Sequence, residues 1–459
     1  MKRDKSIFIN KRTFFDSGAT KSYDFRIEQL KIFKKAITQN ESKILDALYK
    51  DFKKPRFEAF TSEVGFLYEE INFAIKHLKK WMKPDKVATP LVLELSKSKI
   101  VKEPLGVILI IGPWNYPFQL LLSPLVGAIA AGNCSVIKPS NETPHVAKIV
   151  EEIINQTFDS NYISVVQGPG RTVGNALIEE FNWNHIFFTG SPQVGKQVAK
   201  MAANHLSPVT LELGGKSPAI IDENVDIDIA AKRVVFGKFF NAGQTCVCPD
   251  YVLVHESKKQ EFILKAKKYI QEFYGDNPLV SKDLTHIVNS KRFNVLSNYL
   301  NDGKIVHGGK FDEENKVIEP TLLDDITFDM KVMQEEIFGP ILPILTWNTK
   351  EDLIDKVRKN RYPLACYIFT ENKSFKKFII NRIEFGGGSV NNTLVHLVNP
   401  KLPFGGVGNS GMGNYHGKYS FETFSHKKSI LESPTKLDLP LRYPPYSDKK
   451  MKIGKWFFK

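Results

Sequence analysis

Three residues far apart in the chain have types suited to acyl chemistry. Cys246 stands in Phe240-Asn241-Ala242-Gly243-Gln244-Thr245-Cys246-Val247-Cys248-Pro249, which has the composition of a tight loop between a helical run at 229–240 and a β-rich run at 251–255. Gly243 permits backbone geometry closed to other residues, and Asn241 and Thr245 can bond the loop to its own amides. A cysteine presented on such a loop can be a nucleophile, because its thiolate is strong and its pKa is set by its neighbours. Taken alone, Cys246 reads first as a small buried hydrophobe. Glu212, in Leu211-Glu212-Leu213-Gly214-Gly215-Lys216, places a carboxylate within an apolar strand. Burial would raise its pKa and suit it to act as a general base. The alternative, a buried glutamate held by backbone amides, is less common because unpaired buried carboxylates are costly. Asn115, between Pro113 and Pro117 after an apolar strand, could donate its amide to a developing oxyanion; by itself it reads as a turn residue.

A second group has features of a nucleotide site. Gly190-Ser191-Pro192-Gln193-Val194-Gly195-Lys196 follows a strand and opens a helix, where backbone N–H groups and the helix dipole can receive a phosphate. It nearly matches a P-loop, but Gln197 stands where a Ser or Thr must hold magnesium, which disfavours a nucleoside triphosphatase and leaves a dinucleotide pyrophosphate open. Gly168-Pro169-Gly170 also follows a strand, but its third glycine, Gly174, comes one position late for a dinucleotide fingerprint, so a turn is expected. Lys138-Pro139-Ser140 ends a strand, where a lysine can meet ribose hydroxyls or a phosphate, or simply be solvated.

These residues need elements to position them. A chain of 459 residues, 42% hydrophobic and 25% charged, is an ordinary globular protein of two or three domains. Residues 22–83 carry helical periodicity, with faces at Ile27, Leu30, Phe33 and Ile37, at Ile44, Leu45, Leu48 and Phe52, and at Val64, Leu67, Ile71, Ile75 and Leu78. Residues 91–95 and 99–101 flank Lys97-Ser98 and read as a β-hairpin suited to an oligomerisation arm. From Leu105, short buried strands alternate with helices, and a second alternating block runs from 219 to 391. The expected fold is α/β, with two doubly wound domains meeting near Glu212 and a small β arm.

The formal charge of +14 points to an anionic partner such as a nucleotide, an acidic product or a membrane surface. The scattered lysines and the lack of a recognition signature argue against nucleic acid. Four cysteines (Cys134, Cys246, Cys248, Cys366) are too few for a disulfide framework and match no zinc spacing, which fits a reducing cytoplasm. The basic N-terminus is followed by no apolar core, and the most apolar region, 105–131, is broken at Gly112–Pro117, so no spanning segment is expected. Residues 427–459 hold nine Lys/Arg against three Asp/Glu and end in Trp456-Phe457-Phe458-Lys459. A frayed, solvated tail is the first reading there, and contact with a membrane surface the second.

Together these stretches resemble the aldehyde dehydrogenase superfamily. The resemblance rests on Pro113-Trp114-Asn115, Lys138-Pro139-Ser140, Phe188-Thr189-Gly190-Ser191, Leu211–Lys216, Gly243-Gln244-Thr245-Cys246, Glu335-Glu336-Ile337-Phe338-Gly339-Pro340 and Leu402–Gly408. Gly411-Met412-Gly413-Asn414-Tyr415-His416-Gly417 and the short N-terminus look like the class 3 branch, which implies a dimer acting on medium- and long-chain aliphatic, isoprenoid or aromatic aldehydes. The resemblance implies that Cys246 attacks the aldehyde, Asn115 and the Cys246 N–H hold the oxyanion, and Glu212 activates water against the thioester. It implies a cofactor set of Trp114, Lys138, Gly190, Ser191, Gly195, Glu336 and Phe338, for NAD, with NADP open. It also implies a dinucleotide-binding domain at 1–83 and 100–211, a catalytic domain at 212–394, and oligomerisation segments with a basic tail at 84–99 and 395–459. An acylating enzyme or a thiol esterase is the rival. Two positions depart from the pattern: Asn141 stands where a Glu is common, with Glu142 one further on, and Cys248 replaces a small non-thiol residue.

Overall fold

All five residues of Val107–Ile111 are apolar and buried, the pattern of a strand covered on both faces. The computed structural model describes residues 6–90, 93, 96–436, 438 and 440–458. Val107–Ile111 sits inside a six-stranded sheet, in the order Gly411–Met412, Val209–Leu213, His185–Gly190, Val107–Ile111, Cys134–Lys138, Ile163–Val165. All neighbours are parallel except the short Gly411–Met412, which runs antiparallel to Val209–Leu213 and pairs Gly411 with Glu212. The winding reverses between Val107–Ile111 and His185–Gly190. Ligands of such sheets bind beyond the carboxyl ends of the strands at this switch point, where the turn at 112–117 and the Gly190-Ser191 turn both lie.

The chain passes from Val209–Leu213 to Pro218–Ile221 and enters a seven-stranded sheet, ordered Lys304–His307, Thr321–Asp324, Ile341–Trp347, Tyr251–His255, Pro218–Ile221, Ala365–Phe369, Gly387–Val390. Only Lys304–His307 is antiparallel to its neighbour. The long helix Tyr23–Phe52, capped by Ser22, buries both of its predicted apolar faces, while on Gly65–Trp81 Ile75 is only half-buried. The Gly168-Pro169-Gly170 turn opens a wide helical turn, Gly170–Gly174, before the helix Asn175–Glu180.

The predicted hairpin is corrected. Of its first strand, 91–95, only Leu93 lies within the described residues. The second is longer than expected, Lys97–Pro104, and pairs with Asp85–Val87 on one side and Ser425–Glu432 on the other, all antiparallel. Lys99–Glu432 and Lys428–Glu103 form ion pairs across this sheet. The tail is corrected too. Residues 425–432 are a strand and Asp448–Phe458 a helix, because the backbone of the first is satisfied by ladder bonds and the second carries a run of good helix formers.

Candidate active site

The loop that bears Cys246 is strained and heavily bonded. Asp226 caps the helix Ile227–Phe239, accepting from Ile229 N at 3.0 Å. After this helix Asn241, Ala242 and Gly243 all have positive φ (55°, 51° and 72°). At Gly243 a side chain is excluded twice over, since a Cβ there would lie 2.3 Å from the Gly339 carbonyl oxygen. Left-handed residues other than glycine persist where surrounding bonds over-determine them. Here Asn241 Nδ2 donates to Asn115 O (3.0 Å) and Gln244 O (3.1 Å), Gln244 Nε2 donates to His286 O (3.0 Å), and Gln244 Oε1 accepts from Val288 N (3.0 Å).

Cys246 emerges from this loop half-buried, on the wall of a cavity of about 540 Å³ whose lining includes Tyr116, Phe236, Phe240, Leu394, Phe404 and Tyr415. Asn115 is buried and reaches the loop directly, Nδ2 donating to Gln244 O at 3.0 Å. An amide carries two N–H donors, so one remains for a ligand. Glu212 is 3% exposed, and neither carboxylate oxygen has a hydrogen-bond partner. Burial pushes its pKa well above the carboxylate range. Burial also pushes the Cys246 thiol up, and the Glu336 and then the Glu212 carboxylate push it further. Cys248 turns away: its Sγ donates to Gly243 O at 3.3 Å, it is buried, and burial raises its thiol to about 12.

Glu336 is held from several sides. Its carboxylate packs over Gly214, where a Cβ would come within 1.9 Å of Oε2. Burial raises its pKa to about 8, with Asp250 adding to the rise, while the Gly215 N–H, Arg292 and Lys216 oppose it. The segment bearing Glu336 is fixed by residues that the motifs did not single out for a role. Lys216 pairs with Asp250 and donates to Val332 O (2.9 Å) and Glu335 O (2.8 Å). Asp250 accepts from Ile337 N (3.0 Å), and Arg292 donates to Glu336 O (3.2 Å). Their signal in the sequence is slight, because a lone charged residue beside a strand reads as solvated until its partners are known.

The remaining candidate positions could hold a dinucleotide. Ser191 caps the helix Pro192–Ala203, accepting from Val194 N. At Gly195 a Cβ would sit 2.5 Å from Leu213 Cδ2, so this glycine lets the helix lie close on the sheet. Gly190 ends its strand in the same turn. Lys138 is 2% exposed at the end of its own strand, donating to Pro139 O at 3.1 Å. Trp114 meets Phe338 edge-on, with centroids 5.2 Å apart. A capped helix start beside small residues, a buried cation and a positioned carboxylate fit pyrophosphate and ribose recognition. Beside Lys138-Pro139-Ser140, Glu142 accepts from Asn141 Nδ2 (3.1 Å) and Asn289 Nδ2 (2.8 Å).

Residues 11–430 match the Aldehyde dehydrogenase family. The chain belongs to that family. It is 51% identical over 454 residues to a 4,4′-diaponeurosporen-aldehyde dehydrogenase of Staphylococcus aureus, covering 98% of each. It is 42% identical to the mouse "aldehyde dehydrogenase, dimeric NADP-preferring", covering 97% of this chain and 98% of that one. Similarity extends to the solved structure of a substrate-bound Staphylococcus aureus AldH, with TM-score 0.97, 50% identity and full coverage of both chains. Class 3 members are among the relatives, including family 3 member H1 of Arabidopsis thaliana at 44% identity over 97% of this chain. The enzyme is thus an NAD(P)-dependent aldehyde dehydrogenase of class 3 type, oxidising aldehydes to carboxylic acids. Among the described residues no helix is long and apolar enough to cross a membrane.

Proposed function

We propose that Cys246 is the nucleophile, Asn115 the oxyanion donor and Glu212 the base for deacylation. The observation that carries this reading is the Glu212 carboxylate, buried without a hydrogen bond and close enough to Cys246 to push its thiol up. Desolvation costs such a group several kcal/mol when it is ionised. Once its proton has passed to solvent, the carboxylate is therefore a stronger base than an exposed one and ready to accept a proton from water. The Cys246 thiol loses its proton to solvent and the thiolate Sγ adds to the aldehyde carbon, while the free Asn115 N–H together with the Cys246 N–H receives the charge that develops on oxygen. NAD(P), when bound, supplies the two-electron acceptor for the aldehyde carbon. Lys138 and Glu336 would hold its ribose hydroxyls, Gly190, Ser191 and Gly195 its pyrophosphate, and Trp114 and Phe338 the nicotinamide end. Glu212 then takes a proton from water as the water attacks the Cys246 thioester.

The substrate class follows from the cavity. Its walls are mainly apolar, and Phe57, Phe236, Val395 and Val398 both line it and remain 80%, 45%, 46% and 64% exposed. A long apolar chain can lie in the cavity and still cover this rim, which suits medium- and long-chain, isoprenoid or aromatic aldehydes. The name of the Staphylococcus aureus relative, an isoprenoid aldehyde dehydrogenase, supports the isoprenoid member of that set. We assign residues 1–83 and 100–211 to cofactor binding, 212–394 to catalysis, and 84–99 and 395–459, which carry most of the three-stranded antiparallel sheet, to contact with a second copy in a homodimer and to the basic tail. The helix Asp448–Phe458 exposes Met451, Trp456 and Phe458 among lysines, the composition of a surface helix that touches an anionic bilayer from the cytoplasmic side. One assay tests the substrate class: NADH and NADPH formation across aldehydes of increasing length. A kcat/KM that rises with chain length supports it; a maximum at acetaldehyde contradicts it.

A further inference from the structure

Lys54 and Glu63 form an ion pair 2.9 Å long in which neither side chain has exposed surface. Burying two charges costs several kcal/mol per ion before their attraction is counted, so isolated pairs of this kind are poor stabilisers. Both partners hold parts of the Asn115 turn. Glu63 Oε2 accepts from Phe118 N and Gln119 N, each at 3.0 Å, and so caps the helix Gln119–Ala131 that leaves the turn. Lys54 Nζ lies 4.0 Å from the centroid of the Tyr116 ring. The Tyr116 hydroxyl is 2.6 Å from Thr245 Oγ1, and this bond is buried.

The positions of the two residues give that bond its meaning. Tyr116 directly follows Asn115, and Thr245 directly precedes Cys246. The Asn115 turn leaves a strand of the six-stranded sheet, whereas the Cys246 loop leads into a strand of the seven-stranded one. Burial raises the Tyr116 phenol well above its ordinary value, so the bond joins two neutral hydroxyls, either of which can be the donor. The other links between the two turns, Asn115 Nδ2 to Gln244 O and Asn241 Nδ2 to Asn115 O, involve Asn115 itself. The Tyr116–Thr245 bond joins its neighbour instead and leaves the second Asn115 N–H unused.

We propose that Tyr116 and Thr245 are positioning residues, whose hydrogen bond sets the separation of the Asn115 amide from the Cys246 sulfur, and that the buried Lys54–Glu63 pair holds the Tyr116 ring in place to make it. This rests on the reading of Asn115 and Cys246 given above. An oxyanion donor is effective only within hydrogen-bond distance of where the charge forms, so a shift of a few tenths of an ångström at this tie acts on turnover rather than on thiol reactivity.

The test compares Tyr116→Phe, Thr245→Val, their combination, and the neutralised pair Lys54→Met/Glu63→Gln, which removes both charges of the pair together. Each is measured for kcat with a water-soluble aldehyde, for alkylation of Cys246 by iodoacetamide, and for folding by circular dichroism. Both single variants should lose about 10-fold in kcat, a mispositioning effect, while alkylation stays within about two-fold. The combination should lose no more than either single variant, because both remove the same bond. The neutralised pair should fold and lose kcat by a similar factor. A Tyr116→Phe enzyme with the parent's kcat, or losses that multiply in the combination, overturns the tie. Parent-like kcat in the neutralised pair overturns the part given to Lys54 and Glu63. Aldehyde oxidation surviving in Cys246→Ser would instead sink the underlying reading.

Discussion

The Glu336 carboxylate rests directly on Gly214, leaving no room at residue 214 for even a methyl group. Gly214 is two residues beyond Glu212, so the close approach couples the end of the Glu212 strand to the segment proposed to bind the cofactor ribose. Alanine at 214 must push Glu336 away. We expect Gly214→Ala to raise the KM for NAD about 10-fold, the scale of one lost charged hydrogen bond, with a smaller change in kcat. Titration of NAD binding by protein fluorescence checks this. An unchanged dissociation constant would mean that Glu336 does not hold the cofactor.

The alternating core was legible before the fold was known because strands buried on both faces are continuous apolar runs, and Val107–Ile111 and Ala365–Phe369 show it plainly. The antiparallel sheet was not. Ser425–Glu432 is largely exposed and polar, and its partner, Lys97–Pro104, lies in a distant part of the chain, so neither periodicity nor proximity announces the pairing. The same limit applies around the site. Cys246, Asn115 and Glu212 stand out by residue type within their loops and strand. Lys54 and Glu63 lie in the helical block where no motif marks them, and only the fold pairs them and sets Lys54 against the Tyr116 ring.

Replacement of Glu212 separates the two halves of the reaction. Glu212→Gln keeps the shape of the buried side chain but cannot accept a proton, so thioester formation should survive while hydrolysis fails. Rapid mixing should show a burst of reduced cofactor followed by steady turnover lowered about 10²–10⁴-fold, the usual contribution of a general base. Absence of the burst would move Glu212 to an earlier step. Acyl transfer to coenzyme A at an undiminished rate would favour the acylating alternative.

Glu70 gives the fold a pH dependence. It is 4% exposed and accepts from Gly417 N at 3.1 Å, and burial raises its pKa from the ordinary carboxylate range to about 7. The folded state therefore holds a proton that the unfolded chain releases at lower pH. Stability from this group is fully present below the unfolded pKa and is lost as pH rises to about 7. Between pH 5 and pH 7 the melting temperature of the parent should fall more than that of Glu70→Gln, by roughly a few degrees for a chain of this size. Parallel curves for the two proteins would exclude Glu70 as the source.

We expect cofactor preference to turn on Glu142. A carboxylate beside the adenosine ribose repels the 2′-phosphate of NADP and can bond the ribose hydroxyls of NAD. Asn141 brings no charge, but its amide and that of Asn289 hold the two Glu142 oxygens at 3.1 Å and 2.8 Å, fixing an anion beside Lys138-Pro139-Ser140. Those bonds draw on the same lone pairs that a ribose hydroxyl would use, so discrimination should be incomplete and both cofactors should support turnover. Glu142→Gln should shift the ratio of kcat/KM towards NADP by about 10-fold, the value of roughly one unit of screened charge repulsion. Asn141→Glu should shift it the other way. Steady-state kinetics with both cofactors decides the matter: identical ratios in the parent and Glu142→Gln would place the carboxylate away from the ribose and leave Asn141 as the position to vary next.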